Sequence, residues 1–283
     1  MMSSSDTKVY GVIGDPIHHS KSPLMMNEAF KVLKINAAYY AFHVTEEHLP
    51  AAIKGIKALQ LGGVNVTIPH KETVIRYLDE LDESAQWIGA VNTIVHRDGK
   101  LIGYNTDGLG YVRSLIEESG QSIAGKNVIV LGAGGAARGI VYALCKQNVE
   151  RVIVANRTVS RAEQLATDFS SFGEVKGIAT ESLAEVIQAA DIVINTTSLG
   201  MAPHLNTTPM EAHLLQPGQV ASDIVYTPWT TRFLREASER GCHLHRGLGM
   251  FIYQGALAFE HWTGEQAPVK QMRAIVQRSL TTE

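Results

Sequence analysis

Four short segments of the sequence concentrate side chains that suit the binding of a small, oxygen-rich molecule. They span residues 14–23, 65–71, 89–93 and 105–108, and they supply Ser20, Ser22, Thr67, Lys71, Asn92 and Asp107. Each segment lies at the end of a short apolar run, and the ends of strands are where α/β proteins hold their ligands. Together the segments predict a substrate site.

Taken one at a time, these side chains also have ordinary structural explanations. A serine before a proline is a common helix cap, an isolated lysine usually lies on the surface, and an aspartate before a glycine can cap a helix. These alternatives apply to Ser20 and Ser22, to Lys71 and to Asp107, while Thr67 and Asn92 could cap strand ends. The joint occurrence of these groups at strand ends favours a binding site.

A fifth segment has the pattern of a dinucleotide-binding turn. The apolar residues 128–131 are followed by Gly132, Ala133, Gly134, Gly135 and Ala136, and then by Ala137. A small residue at position 137 can replace the third glycine of the usual motif, which serves close helix–strand packing. The N–H groups at the start of the following helix can then bind a pyrophosphate. A tight packing turn without a ligand is the alternative, and the strand–turn–helix context favours a dinucleotide.

The end of the next predicted strand indicates which dinucleotide is bound. NAD sites usually place a carboxylate there for the ribose 2′-hydroxyl, whereas this chain has Asn156, Arg157, Thr158 and Arg161. Two guanidinium groups and two hydroxyls, those of Thr158 and Ser160, suit a 2′-phosphate, because arginine binds phosphate through a fork of donors. The alternative is a solvated basic helix start, but cations at a helix N-terminus oppose the helix dipole. The pattern therefore favours NADP.

Composition excludes several other classes of protein. The 283 residues are 45% hydrophobic and 19% charged, with a formal net charge of −3, which is typical of a globular protein and disfavours nucleic-acid binding. We expect no membrane span, because no apolar run approaches the roughly 20 residues that a membrane helix needs. Cys145 and Cys242 lie far apart, the histidines have no metal-ligand spacing, and no secretory signal is evident. We therefore expect a cytoplasmic protein without a metal.

The elements that position these segments form two alternating series. In the first hundred residues, strands alternate with helices and end in an antiparallel pair around Arg97, Asp98 and Gly99. A second series follows from about Asp107, with strands near residues 127–131, 151–155, 174–177, 191–195 and 219–223. This alternation predicts a parallel sheet with helical crossovers. Two closing helices are expected at residues 247–262 and 268–280.

The sequence therefore predicts a two-domain α/β protein. An N-terminal α/β substrate domain with a mixed sheet would comprise residues 1–106, completed by C-terminal helices in residues 242–283. A Rossmann-type, doubly wound domain would comprise residues 107–241 and bind NADP.

Seven segments together resemble the shikimate dehydrogenase family. They are residues 14–23, 65–71, 89–93, 105–108, 132–136, 156–161 and 247–254, and no single structural constraint would generate all of them. The resemblance implies the reversible, NADPH-linked reduction of 3-dehydroshikimate to shikimate in the shikimate pathway. Two alternatives are a quinate/shikimate dehydrogenase with broader cofactor use and a non-catalytic sensor of pathway compounds. The substrate would be the small molecule shikimate or 3-dehydroshikimate, and the chain would act as a monomer or a homodimer.

The resemblance also implies a role for each site residue. Lys71 would be catalytic and paired with Asp107, and Ser20 and Ser22 would bind the substrate carboxylate. The ring hydroxyls would be contacted by Thr67, Asn92, Asp107 and Gln254, with Tyr226 nearby. The cofactor would be bound by Gly132, Ala133, Gly134, Gly135, Ala136, Asn156, Arg157, Thr158, Arg161, Thr197, Ser198, Ile224 and Gly247, with Glu83 added from its spacing before Asn92.

Overall fold

The computed structural model describes residues 4–281 and divides the chain into two compact units. The first unit contains the chain up to Gly110 and again from Ile252 onward, and the second unit contains Tyr111–Phe251. The boundaries predicted from the sequence fall at 106/107 and 241/242. The structure therefore assigns residues 107–110 to the first unit and residues 242–251 to the second. Residues 1–3, on which the expected lack of a secretory signal partly rests, lie outside the described residues.

The described chain contains strands and helices in alternation. The strands are β1 (Lys8–Gly14), β2 (Ala37–His43), β3 (Gly63–Val66), β4 (Glu80–Leu81), β5 (Thr93–Arg97), β6 (Lys100–Tyr104), β7 (Asn127–Leu131), β8 (Arg151–Asn156), β9 (Val175–Ala179), β10 (Ile192–Asn195), β11 (Val220–Asp223) and β12 (His243–His245). The helices are α1 (Ser22–Val32), α2 (Leu49–Ala58), α3 (Glu83–Ile88), α4 (Asp107–Ser119), α5 (Gly135–Cys145), α6 (Val159–Phe169), α7 (Leu183–Val186), α8 (Arg232–Glu239), α9 (Leu248–Thr263) and α10 (Val269–Thr281).

The first unit is built on a mixed sheet with the strand order β2-β1-β3-β5-β6-β4. Strand β1 pairs in parallel with β2 and β3, while β5 pairs antiparallel with both β3 and β6. The β5–β6 turn has Asp98 and Gly99 at φ values of 51° and 75°, the left-handed pair that a tight hairpin needs. Both the mixed sheet and the hairpin predicted from the sequence are confirmed.

This pairing brings the polar segments to one edge of the sheet. Residues after the ends of β1 and β3 lie at the same edge because these strands are parallel. The start of β5 lies at this edge too, because Thr93 is paired with Asn65 near the end of β3. The end of β6 lies beside it, because Tyr104 is paired with Thr93. Beneath this edge, apolar side chains from β1, α2, β3 and β5 pack into a core that includes Ile13, Ile53, Val66 and Ile94. The core favours the observed register, since a one-residue slip would turn the strand side chains of this cluster to the opposite face of the sheet.

The second unit has a parallel six-stranded sheet in the order β12-β11-β10-β7-β8-β9. The chain runs outward from β7 through β8 to β9, then returns to the other side of β7 and runs through β10 and β11 to β12. This is the doubly wound order, and it confirms the Rossmann-type prediction. The order reverses between β7 and β10, so the loops after these strands flank the crevice where such sheets bind their ligands.

Three short elements were missed by the sequence analysis. Strands β4 and β12 are only two and three residues long, too short for an alternating pattern to be visible, and α3 is a helix of six residues. Pairing of β12 with β11 keeps residues 243–245 in the second unit. Between β9 and β10, where the alternation predicts a helical crossover, the chain forms α7 flanked by single 3-10 turns.

Within residues 4–281, every helix is too short or too polar to cross a bilayer.

Candidate active site

A lysine–aspartate pair lies at the polar edge of the first unit. Lys71 Nζ donates a hydrogen bond of 2.6 Å to Asp107 Oδ2, and the two side chains are 31% and 19% exposed. The carbonyl of Lys71 accepts from Val91 N at 2.8 Å, which ties the lysine to the segment before β5. Asp107 is the first residue of α4, and its N–H donates to Asn105 Oδ1 at 3.2 Å. The pair is therefore fixed at both ends while it stays accessible to water.

Asn92 holds the other oxygen of this carboxylate. Its Nδ2 donates to Asp107 Oδ1 at 2.8 Å and to Thr106 Oγ1 at 2.9 Å. Its Oδ1 accepts from the backbone N–H of Thr106 at 2.8 Å and from the Thr93 hydroxyl at 3.0 Å. These donors surround the amide oxygen and so fix which way the amide faces. Asn92 consequently presents its N–H₂ group, and not its oxygen, to Asp107.

Gln254 of helix α9 joins the same cluster. Its Oε1 lies 3.5 Å from Asn92 Nδ2, and its carbonyl accepts from Thr106 Oγ1 at 3.0 Å. Helices α4 and α9 approach closely here, because a Cβ atom added at Gly110 would collide with the backbone of Gln254. Glycine at position 110 is therefore required for Gln254 to reach the cluster.

The two predicted carboxylate-binding serines lie at the start of α1. The hydroxyl oxygen of Ser20 accepts from Ser22 N at 3.3 Å, and among residues 4–281 the Ser20 O–H proton has no acceptor, which leaves it available to an anion. Ser22 lies inside the helix and Lys21 occupies the N-cap position, so the capping alternative for Ser22 is wrong. Thr67 follows β3 and packs beside Gly14, where an added Cβ would lie 2.5 Å from the threonine methyl group.

Two site residues were missed by the sequence analysis. Tyr39 is fully buried, receives a hydrogen bond from the Ser22 side chain, and donates to Asn65 Oδ1 at 2.7 Å. Asn65 Nδ2 in turn donates to the carbonyl of Asn92 at 3.1 Å. Burial raises the pKa of Tyr39 well above its ordinary value, while the Ser22 hydrogen bond opposes that rise. This path connects Ser22 with Asn92, and the polar Asn65 inside the otherwise apolar β3 was its signal in the sequence.

The glycine-rich turn of the second unit fits a pyrophosphate. Gly132 has a φ of 109°, which disfavours other residues, and an added Cβ would lie 2.8 Å from Thr196 Oγ1. Gly134 and Gly135 differ, because a Cβ at either would meet no described atom within 4 Å. Packing within the described chain therefore does not explain these two glycines, whereas close approach of a ligand to the start of α5 does.

The loops after β8, β10 and β11 carry the other predicted cofactor residues. Asn156 Nδ2 donates to the carbonyl of Thr158 at 2.9 Å and shapes the turn into α6. Arg157 and Arg161 are exposed, and within residues 4–281 neither guanidinium group has a hydrogen-bond or ion-pair partner. Their guanidinium groups are thus available to a phosphate, which fits the group that distinguishes NADP.

The remaining predicted residues have separate environments. The Thr197 hydroxyl donates to Asn195 Oδ1 at 2.7 Å, next to Ser198, which is exposed. A Cβ at Gly247 would collide with the carbonyl of Ile224, so these two segments touch through their backbones. Tyr226, also in the second unit, stacks on Phe251 with ring centroids 5.5 Å apart, and its contact with substrate stays a prediction. Glu83 begins α3 in the first unit, unlike the other predicted cofactor residues.

Among the described residues, no group of three or more histidine, cysteine, aspartate or glutamate side chains is arranged to hold a metal ion.

Comparison with known proteins identifies the family. Three family descriptions match: "Shikimate dehydrogenase substrate binding domain" at residues 12–94, "Shikimate / quinate 5-dehydrogenase" at residues 114–220, and "Shikimate 5'-dehydrogenase C-terminal domain" at residues 247–277. The shikimate dehydrogenase (NADP(+)) of Geobacillus kaustophilus is 50% identical over 276 residues, which cover 96% of this chain and 99% of that protein.

Solved structures of similar proteins agree. Shikimate 5-dehydrogenase from Listeria monocytogenes, in complex with shikimate and NAD, has a TM-score of 0.93 and 38% identity, covering 98% of each chain. The enzyme from Thermus thermophilus, in complex with NADP(H) and shikimate, has a TM-score of 0.86 and 36% identity, covering 97% of this chain and 100% of that one. The chain therefore belongs to the shikimate dehydrogenase family of NADP-linked oxidoreductases.

Proposed function

We propose that this chain catalyses the reversible reduction of 3-dehydroshikimate to shikimate with NADPH. The observation that carries the proposal is the 2.6 Å hydrogen bond from Lys71 Nζ to Asp107 Oδ2, beside an Asn92 amide whose orientation is fixed. Such a cluster supplies a proton donor, hydrogen-bond acceptors and an oriented N–H₂ group within one small region. The broader quinate alternative and the sensor alternative are not favoured by the similarity to NADP(+)-dependent shikimate dehydrogenases.

In the proposed complex, the first unit binds the substrate. Ser20 and Ser22 bind the carboxylate: Ser20 donates its hydroxyl proton, and Ser22 can donate when its proton turns from Tyr39 to the substrate. Thr67, Asn92, Asp107 and Gln254 contact the ring hydroxyls. Polar contacts of this kind reject analogues that lack a hydroxyl, because the buried protein groups would then be left unpaired.

Lys71 is the proposed proton donor and acceptor. NADPH, when bound, supplies a hydride to the C3 carbonyl carbon of the substrate. The Lys71 ammonium then gives a proton to the C3 oxygen as the negative charge develops there, and neutral Lys71 remains. Asp107 holds the lysine nitrogen in place throughout, and the 31% exposure of the lysine side chain allows solvent to return the proton. In the reverse direction, neutral Lys71 accepts the proton of the C3 hydroxyl.

The second unit is proposed to bind NADP. Residues 132–136 would bind the pyrophosphate at the start of α5, and Asn156, Thr158 and the two arginines would bind the adenosine 2′-phosphate. Thr197, Ser198, Ile224 and Gly247 would contact the rest of the cofactor, and the role of Glu83 rests on its spacing alone. The guanidinium groups of Arg157 and Arg161, exposed and without a partner in the described part of the chain, support the preference for NADP over NAD.

A cytoplasmic location is also proposed. It is supported by Cys145 and Cys242, both of which are buried free thiols, as expected in a reducing compartment. The chain is proposed to act as a monomer or a homodimer, which sedimentation at several concentrations would distinguish.

Steady-state kinetics with two substrates and two cofactors test the proposed function. We expect kcat/KM to be highest for shikimate with NADP, lower for shikimate with NAD, and lowest for quinate with either cofactor. Equal efficiency with quinate would favour the broader enzyme. Tight shikimate binding without turnover would overturn the proposal in favour of a sensor.

A further inference from the structure

The fold contains a buried carboxylate to which neither the proposed mechanism nor the predicted site assigns a role. Asp223 is the last residue of β11 and is fully buried. We propose that Asp223 is a positioning residue for the cofactor, which sets the Thr197 turn after β10 and the Ile224 turn after β11 by hydrogen bonds. The inference rests on the cofactor contacts proposed above for Thr197 and Ile224.

Every hydrogen bond to Asp223 comes from a neutral donor. Oδ1 accepts from Asn195 Nδ2 at 3.1 Å and from Val225 N at 3.0 Å, while Oδ2 accepts from Thr231 Oγ1 at 2.7 Å. In the described part of the chain no lysine, arginine or histidine forms an ion pair with it. Burial raises the pKa of Asp223 to about 6, although all three hydrogen bonds act to lower it. A buried carboxylate without a counter-ion destabilises the fold, so its presence calls for a reason other than stability.

One path from Asp223 leads through Asn195 to Thr197. Asn195 Oδ1 accepts from the backbone N–H of Thr197 at 3.0 Å and from its hydroxyl at 2.7 Å. Its Nδ2 donates to Asp223 and, at 3.2 Å, to the carbonyl of Leu199. Because Asp223 can only accept, it holds the amide nitrogen on its own side and keeps the amide oxygen facing Thr197. Without the carboxylate, the amide nitrogen keeps only the longer bond to the Leu199 carbonyl, so the amide is held less firmly.

A second path leads through the backbone of Val225. The hydrogen bond from Val225 N to Oδ1 closes a turn two residues after Asp223, and Ile224 lies within that turn. The Ile224 carbonyl is the group that an added Cβ at Gly247 would meet. Asp223 thus acts on three proposed cofactor residues, Thr197, Ile224 and Gly247, without contacting the cofactor itself. Thr231, on the other carboxylate oxygen, caps α8 and reaches none of them.

This difference between the two carboxylate oxygens allows a matched test. Asp223→Ala and Asn195→Ala should each raise the Kd for NADP, measured by titration calorimetry, by about ten- to a hundredfold, the equivalent of one or two hydrogen bonds. The KM for shikimate at saturating NADP should be unchanged. Thr231→Val removes a bond to the same buried carboxylate, so it should lower the melting temperature and leave the NADP Kd unchanged.

A conservative variant separates hydrogen bonding from charge. In Asp223→Asn, the amide oxygen can accept from Asn195 and Val225, as Oδ1 does in the wild type. The N–H₂ group then faces the Thr231 hydroxyl, whose oxygen can accept a hydrogen bond. We therefore expect Asp223→Asn to bind NADP like the wild type. If Asp223→Ala does not fold, Asn195→Ala tests the same path from its other end.

The outcomes distinguish this inference from the proposed function. If Asp223→Ala and Asn195→Ala bind NADP no more weakly than Thr231→Val does, Asp223 is only structural and the inference is overturned. Loss of binding in Asp223→Asn would also overturn it, since the charge itself would then be required. A wild-type chain that fails to bind NADP would refute the proposed function as well.

Discussion

Replacement of Lys71 by alanine should separate proton transfer from substrate binding. If Lys71 transfers the proton, its interaction with the C3 oxygen strengthens as charge develops, so the loss should fall on kcat and not on KM. General acid–base groups typically contribute about 10²–10⁴-fold. At about 1.36 kcal/mol per tenfold, this corresponds to an increase of about 2.7–5.4 kcal/mol in the activation free energy.

The structure predicts a much smaller effect of the same substitution on folding. The side chains of Lys71 and Asp107 are 31% and 19% exposed, so water can replace the ammonium group at Asp107 Oδ2. Asn92 Nδ2 continues to hold Oδ1. A partly exposed ion pair contributes about 1 kcal/mol or less, so we expect the free energy of unfolding of Lys71→Ala to stay close to that of the wild type. Activity should therefore be lost from a folded protein.

The assay is steady-state kinetics with shikimate at saturating NADP, together with urea unfolding of each variant. Lys100→Ala is the matched control, because Lys100 Nζ pairs with Glu80 Oε1 at 2.5 Å in the same unit but outside the site. The control should keep its kcat. Asp107→Ala should lose both rate and affinity, and the double variant should lose less than the sum of the two single losses, since the residues act as a unit. A Lys71→Ala enzyme that keeps its kcat and loses only affinity would refute the proton-transfer role.

Three further predictions concern the second unit. Arg157→Ala should raise the KM for NADP and change the KM for NAD little. The preference for NADP over NAD should fall by about 1.5–3 kcal/mol, as expected for hydrogen bonds to a charged group. Arg151→Ala, at the opposite end of β8, is the control, and equal losses with both cofactors would make Arg157 structural. Gly247→Ala should weaken NADP binding, because the added methyl group would displace the Ile224 backbone; normal binding in calorimetry would mean that this contact is unimportant. The pKa of Asp223 is raised to about 6 from an ordinary value of 3.8, so the folded state binds its proton more tightly than the unfolded chain does. The stability from this proton is complete below about pH 4 and is lost as the pH rises through about 6, a total of about 3 kcal/mol for roughly two pKa units. Urea unfolding from pH 4.5 to 7.5 should show this decline in the wild type but not in Asp223→Asn, and parallel curves for the two proteins would contradict it.

Much of the site could be predicted because its residues lie in short segments that end strands. The position of Lys71 relative to Asp107 depends on long-range pairing, since 36 residues separate them. That pairing was indirectly visible in the sequence: the turn at Asp98 and Gly99 predicts a hairpin, and the hairpin register brings Asn92 next to Thr106 and Asp107. A local signal thus fixed one non-local contact of the site.

The buried supports of the site gave no comparable signal. Asp223 and Asn195 are 28 residues apart and end different strands, so only the strand order β10–β11 brings them together. An aspartate that follows an apolar strand is equally consistent with a ligand-binding residue and with a helix cap. No neighbouring residue in the sequence indicates that its side chain is fully buried. Strand β12 was missed for a related reason, because three residues that include two histidines carry no apolar alternation. Its place in the sheet comes from pairing with β11, not from its own composition.

The carboxylates of Asp107 and Asp223 differ in their surroundings, in a way that suits their proposed tasks. Asp107 has a cation on one oxygen, an amide N–H₂ on the other, and some access to water, so its partner lysine can exchange a proton without a large change in solvation. Asp223 has only neutral donors and no exposure, so any displacement of those donors leaves a buried charge unsatisfied. That penalty makes Asp223 a stiff anchor for the loops it bonds, because each donor is held by the cost of leaving the carboxylate. A mobile proton and a rigid cofactor loop thus require opposite environments, and the chain places one carboxylate in each.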